Sequence, residues 1–271
     1  MLRFYPMTNN SNTPSELSLT LLGGFKMTKE YILEGRLSIE AAIKAKSRRI
    51  SRIYIDRNKK GKNIKKFENI INGTGIKIKK VNSKFIDELS EGKTHGGIVA
   101  KASEKRFVEL EELIKDKDTP FIAMIDGIED PYNFGYAVRS LYLAGVDGIV
   151  VKPRNWMEAT TVVAKSSAGS TEFVPMAIAE NINKAADYFK SKGLLIACTS
   201  NRDSISLYDA DLTKPIFLVI GGEKRGITRS FLERADLILK IPYGRNYGIS
   251  LAATSATSII AFELMRQRNY N

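Results

Sequence analysis

Hydrophobic positions along this chain fall into two alternating patterns: short apolar runs of strand length, and longer stretches spaced at three and four. Between residues 27 and 101 the spacing predicts helices at 37–46, 64–72 and 83–89, and strands at 52–55, 76–81 and 97–100. Ser83, four residues before Asp87, opens the third of these helices as a capping residue. The order describes a small α/β sandwich. Residues 102–119 hold Val108, Leu110 and Leu113 among charges, close on Thr119-Pro120, and read as a linker with one short helix.

From residue 120 the alternation becomes stricter. Strands are expected at 121–125, 148–151, 173–175, 194–198, 216–220 and 237–241, with helices at 133–144, 157–166, 182–192 and 250–268. Short β-branched strands alternating with helices predict an α/β unit with a mostly parallel sheet covered on both faces. Sites in such sheets lie where strand C-termini meet their loops. Residues 1–26, rich in Asn, Ser, Thr and Pro, show no sustained period and read as a flexible extension. Met27, where the organised pattern begins, is a second candidate for the true start.

Composition removes several classes of function. With 43% hydrophobic residues in 271, the chain can build real cores, and whole-chain disorder is excluded. No apolar run approaches the roughly 18–20 residues of a membrane span. No charged start followed by an apolar core marks a signal peptide, so the cytoplasm is the expected location. Cys198 is the only cysteine, which excludes an intrachain disulfide or a cysteine-built zinc cluster. His95 is the only histidine, and beside Gly96 and Gly97 it reads more readily as structural than catalytic. No metal site is expected.

The net charge of +12 is unevenly placed. Residues 27–106 carry 21 basic and 9 acidic side chains, whereas the ends on either side nearly cancel. A concentrated basic segment joined to a near-neutral one is the pattern of a polyanion-binding module, and nucleic acid is the favoured polyanion. A solvated lysine-rich surface would have the same composition. Residues 59–66 lack the large aromatics of a membrane-surface helix.

Three clusters stand where the sheet should place a site. Asp130-Pro131-Tyr132-Asn133-Phe134-Gly135, followed by Arg139, runs from a strand end into a helix that Asn133 is placed to cap. Gly221-Gly222-Glu223-Lys224-Arg225-Gly226 follows a strand directly, yet fits neither a phosphate-cradling loop nor a dinucleotide fingerprint. Ile241-Pro242-Tyr243-Gly244 precedes Ser250-Leu251, which opens the last helix with the small residues Ala252, Ala253, Thr254, Ser255 and Ala256. Taken singly, these are a capped helix, a tight turn and a well-packed helix start.

Their order and spacing together resemble the SpoU, or TrmH-like, branch of the SPOUT superfamily of RNA methyltransferases. Asp130, Pro131, Asn133, Gly135 and Arg139 match the first motif of that family, and Gly221, Glu223 and Gly226 the second. Ile241, Pro242, Ser250 and Leu251 match the third, and Ser167-Ala168-Gly169 resembles a segment between the first two. Leu33-Glu34-Gly35 and Thr94-His95-Gly96-Gly97 resemble the ends of the RNA-binding domain that precedes catalysis in rRNA-modifying members. The likeness spans about residues 30–268.

The resemblance implies a trefoil-knotted, mostly parallel C-terminal domain over 120–271 and a smaller N-terminal α/β RNA-binding domain over 27–101. It implies S-adenosylmethionine as cofactor, a homodimer, and methyl transfer to a ribose 2′-hydroxyl of RNA, with rRNA favoured over tRNA. Arg139 would act on the acceptor hydroxyl or position an RNA phosphate, oriented by Asn133, with Glu223 bracing its loop and Ser250 beside it. Thr199, Gly221, Ile241 and Leu251 would hold the cofactor, and Arg36, Lys59, Lys60, Lys65, Lys66 and His95 the RNA. The chain departs from the family at Ala252, where the third motif has Asn; Asn246 is a nearby alternative amide. That departure keeps open a catalytically silent RNA-binding or ribosome-assembly protein.

Overall fold

A computed structural model of the chain describes residues 30–92, 94–152, 160–222, 226–245 and 248–270. The expected N-terminal extension, Met27, Glu223 and Asn246 lie outside the described residues.

The first unit is a four-stranded sheet. Its elements are β1 (Tyr31–Glu34), α1 (Arg36–Ala45), β2 (Ile50–Asp56), α2 (Lys62–Asn72), β3 (Ile78–Val81), α3 (Ser83–Leu89) and β4 (Ile98–Ala102). Strand order is β1-β4-β2-β3, with β4 antiparallel to β1 and β2, and β2 parallel to β3. Phe67 and Ile71 of α2 and Ile39 of α1 pack on Ile53, Ile55 and Ala100, which gives the helices their buried faces. Asn82, not Ser83, caps α3, accepting from the Phe85 amide at 2.8 Å. β1 has no counterpart in the sequence reading because it ends on an acidic residue. The Glu34 carboxylate is buried there, accepting the Glu91 and Gly92 amides at 2.8 and 2.9 Å.

The connection that follows is packed rather than loose. Val108 forms a parallel bridge with Ala177, and α4 (Leu110–Ile114) sets Leu113 against Gly148. A Cβ at Gly148 would lie 2.7 Å from the Leu113 side chain, so the glycine makes the room. Lys105 is buried here, and burial pushes its ammonium down to about 8, opposed by Glu172 and aided by Arg48. Below about pH 8 the folded and unfolded chains both hold that proton, and the full burial penalty is present. As pH rises toward 10.5 the folded chain releases it first, and the penalty is relieved. Lys105→Met is therefore expected to stabilise the fold at pH 7 by up to about 3 kcal/mol. Melting curves should show that gain shrinking toward pH 10; a pH-independent difference would refute the charge as its origin.

The second unit is a seven-stranded sheet in which every neighbouring pair is parallel. It comprises β5 (Phe121–Asp126), α5 (Pro131–Leu143), β6 (Gly148–Val151), α6 (Thr160–Ser166), α7 (Ser170–Phe173), β7 (Met176–Ile178) and α8 (Ile182–Ser191). After these come β8 (Leu195–Thr199), β9 (Ile205–Ser206), β10 (Ile216–Gly221), α9 (Arg229–Leu232), β11 (Leu237–Lys240) and α10 (Ala253–Asn269). The order is β7-β6-β5-β10-β8-β11-β9. Strand alternation divides β10 between two cores: Ile216, Leu218 and Ile220 join one, Phe217 and Val219 the other. The strand expected at 173–175 is displaced to Met176–Ile178. Gly169, with φ +85°, turns the chain into a helical turn that takes Phe173, and Pro175 separates it from the strand.

Candidate active site and RNA surface

β8, β10 and β11 end side by side, and beyond their C-termini lies a cavity of about 890 Å³. Thr199, Gly221, Ile241, Ser250 and Leu251, far apart in sequence, all line it. The strand ends are braced from within, since the Gly221 amide donates to Thr199 Oγ1 at 3.1 Å. Gly222 meets the β5 loop so closely that a Cβ would lie 2.5 Å from the Gly127 carbonyl oxygen. This glycine serves backbone crossing, a reason separate from ligand approach. Apolar residues Ile220, Leu239 and Ile260 form part of the wall, with Asp203 and Glu233 among its acidic members.

Two further wall residues, Tyr243 and Ala256, belong to the third cluster but had no cavity role assigned to them. Tyr243 accepts the Leu251 amide through its hydroxyl at 3.2 Å, tying the loop after β11 to the entry of α10. Ala256 lets α10 approach the cavity, and its place in a run of small residues was the available signal. The last helix begins at Ala253 rather than Ser250, with Ala252 as its N-cap and no side-chain acceptor for the exposed amides. Ala252→Asn is expected to add that acceptor, stabilising the chain by about 1 kcal/mol. Calorimetry should then show melting about 2–4 °C higher; an unchanged midpoint would mean those amides are otherwise satisfied.

α5 carries the first cluster. Its cap is Asp130, which accepts the Asn133 amide at 2.8 Å; Asn133 lies inside the first turn, correcting its expected capping role. Gly135 packs against α6, where a Cβ would overlap Ser166 Oγ. Phe134, Ala137, Val138 and Leu141 face inward, whereas Tyr132, Tyr136, Arg139 and Leu143 are exposed. Asn133 and Arg139 are six positions apart, about 120° around the helix, and no hydrogen bond joins their side chains among the described residues. Arg139 is outside the cavity lining. α5 nevertheless adjoins α10, where Ser140 and Ser258 hydroxyls are 2.7 Å apart.

On the four-stranded unit, Lys59 and Lys60 after β2 and Lys65 and Lys66 on α2 are all exposed. The Lys59 stem runs over Gly97, where a Cβ would lie 2.8 Å from it. Arg36 pairs along its own helix with Glu40 at 2.7 Å. His95 is turned inward: Nδ1 accepts the Gly97 amide at 3.0 Å, so Nε2 carries the proton and donates to Asp87 Oδ1 at 2.9 Å. It braces the turn beneath Lys59. Among the described residues no group of acidic, Cys and His side chains could hold a metal, and no helix is long and apolar enough to cross a membrane.

Comparison with known proteins follows the same division. Residues 120–262 match the SpoU rRNA Methylase family, and residues 32–108 match the domain described as RNA 2′-O ribose methyltransferase substrate binding. The 23S rRNA (guanosine-2′-O-)-methyltransferase RlmB of Shewanella oneidensis is 31% identical over 245 residues, covering 89% of this chain and 99% of that protein. RlmB of Escherichia coli K12 is 27% identical over 88% of this chain and 99% of its own. Among solved structures, the SpoU methyltransferase AviRb from Streptomyces viridochromogenes in complex with AdoMet superimposes with a TM-score of 0.75 at 20% identity. That match covers 89% of this chain and 91% of that one, a likeness of fold. The chain belongs to the SpoU rRNA methylase family.

Proposed function

We propose that this chain transfers the methyl group of S-adenosylmethionine to a ribose 2′-hydroxyl of large-subunit rRNA. The observation that carries the reading is the cavity at the parallel strand ends, where Thr199, Gly221, Ile241, Ser250 and Leu251 converge. S-adenosylmethionine fits there: the volume is that of a small-molecule site, and apolar wall residues suit an adenine ring while backbone and carboxylate groups suit its polar parts. When bound, the cofactor supplies an electrophilic methyl group on a sulfonium.

The chain must then hold a weak nucleophile in line with that methyl. Arg139, always charged, is suited to gripping a phosphate beside the acceptor sugar or to orienting its hydroxyl. Asn133, Glu223 and Ser250 are assigned supporting roles around the reacting groups. Because Arg139 does not line its own chain's cavity, a second copy is the proposed source of closure. The exposed stripe Tyr132, Tyr136 and Leu143 on α5, with Phe262 on the adjoining α10, supports a homodimer through this face. Residues 27–101 act as the RNA grip, with Arg36, Lys59, Lys60, Lys65 and Lys66 on phosphates and His95 supporting, and 120–271 as the transfer domain. The resemblance extends to a trefoil knot around the cavity and a cytoplasmic location. The relatives' names favour a guanosine acceptor.

Ala252 supports one second reading, a silent RNA-binding homologue lacking the site amide. Labelled S-adenosylmethionine incubated with total rRNA and tRNA, followed by nucleoside analysis, separates the two. A labelled 2′-O-methylnucleoside from rRNA is expected; neither label nor cofactor binding would select the silent protein.

A further inference from the structure

Four sets of polar contacts join the small sheet unit to α6 and α7. Thr161 Oγ1 donates to the Ile32 carbonyl at 2.6 Å, and Ser38 Oγ to the Ala164 carbonyl at 3.2 Å. Lys165 Nζ reaches Glu34 Oε2 at 3.2 Å. Glu172 Oε2 accepts from Ser47 Oγ at 2.5 Å and Arg48 Nε at 2.9 Å. The backbones also meet closely, since a Cβ on Gly169 would lie 2.6 Å from the Ala41 Cβ and 3.0 Å from the Leu37 carbonyl oxygen.

The Arg48–Glu172 pair is the more deeply buried of the two ion pairs here, its side chains 5% and 0% exposed. Lys105 is buried nearby, and Glu172 Oε1 has no partner among the described residues. Such a pair is a poor source of stability, because removing both charges from water offsets most of their attraction. Apolar side chains of equal volume would glue the units together as firmly. What charge and hydroxyl add is direction: a planar guanidinium and a serine meet one carboxylate oxygen in few arrangements. The direction is passed on through packing. α6 touches α5 so closely that Gly135 has no room for a side chain, and α5 carries Arg139.

We infer that Glu172 is a positioning residue for methyl transfer. By holding Ser47 and Arg48 it locks the basic unit against α6 and α7 in one orientation, so that RNA gripped near Lys59 and Lys65 meets the cavity at a fixed offset. The consequence for RNA rests on the function proposed above, whereas the lock itself does not.

The test uses the full chain carrying Lys84→Cys and Glu180→Cys, two exposed positions on the two units, spin-labelled and diluted with unlabelled chain. Cys198 is buried and stays unlabelled. A single narrow distance is expected without RNA. Glu172→Gln keeps the shape of the side chain but strands the Arg48 charge. It should broaden the distance distribution and lower kcat on rRNA by about 100-fold, the scale of an ångström-sized misplacement. S-adenosylmethionine affinity should be unchanged. Arg48→Gln probes the same contact from the other side should Glu172→Gln fail to fold. A broad distribution without substitution, or Glu172→Gln with unaltered distance and turnover, would overturn the lock. If the unsubstituted chain methylates no RNA, the functional reading falls, and the distances alone then decide the lock.

Discussion

Arg139→Ala is expected to lower methyl transfer by about 100-fold, the scale of an ångström-sized misplacement of the acceptor, while leaving S-adenosylmethionine binding intact. The separation follows from geometry. Arg139 is exposed on α5 and outside the cavity lining, so its removal leaves Thr199, Gly221 and Leu251 in place. No carboxylate among the described residues pairs with it, so truncation strands no buried charge. A guanidinium is a reluctant base, which makes gripping RNA its main contribution. Arg139→Lys should therefore recover part of the activity, since an ammonium keeps the charge but loses the bidentate fork. Gel filtration of both variants controls for the proposed dimer face. Full turnover by Arg139→Ala would remove this residue from the mechanism.

The second large effect is expected from the basic unit. Replacing Lys59, Lys60, Lys65 and Lys66 with Gln should weaken RNA binding and flatten its salt dependence. If each contacts one phosphate, the slope of log affinity against log salt should fall by about 3–4, the sum of four released counterions at 0.7–0.9 each. All four are exposed, so stability should hardly change. Binding measured at several salt concentrations distinguishes this from misfolding, which would reduce affinity at all salts alike. An unaltered slope would place the RNA surface elsewhere.

Both predictions begin from residues legible in the sequence, yet their relation was not. Asn133 and Arg139 belong to one motif, but α5 places them about 120° apart. The cap fell to Asp130 because Pro131 already fits the first helical position, leaving Asn133 within the turn. His95, although its neighbouring glycines favour a structural role, is grouped with Lys59 as an RNA candidate. Folding turns the histidine inward, onto the Gly97 amide and Asp87, and leaves the lysine over it. The glycines beside it point to a structural histidine, but the linear pattern does not name the amide and carboxylate that hold it.

What the sequence alone determined is the alternation of strands and helices, the concentration of net positive charge in residues 27–106, and the three motifs at strand ends. These depend on local periodicity and on residue type, which are properties of short segments. The tertiary structure decided the rest. It brought Thr199, Gly221, Ile241 and Leu251 to one cavity because parallel pairing sets β10 between β5 and β8, and β11 beside β8. It also made 102–119 a packed connection and buried Glu172 against Ser47 and Arg48, more than a hundred positions away. Strand order and the partner of a buried charge are long-range outcomes. They are selected by which whole arrangement buries its apolar faces while leaving fewest polar groups unmatched.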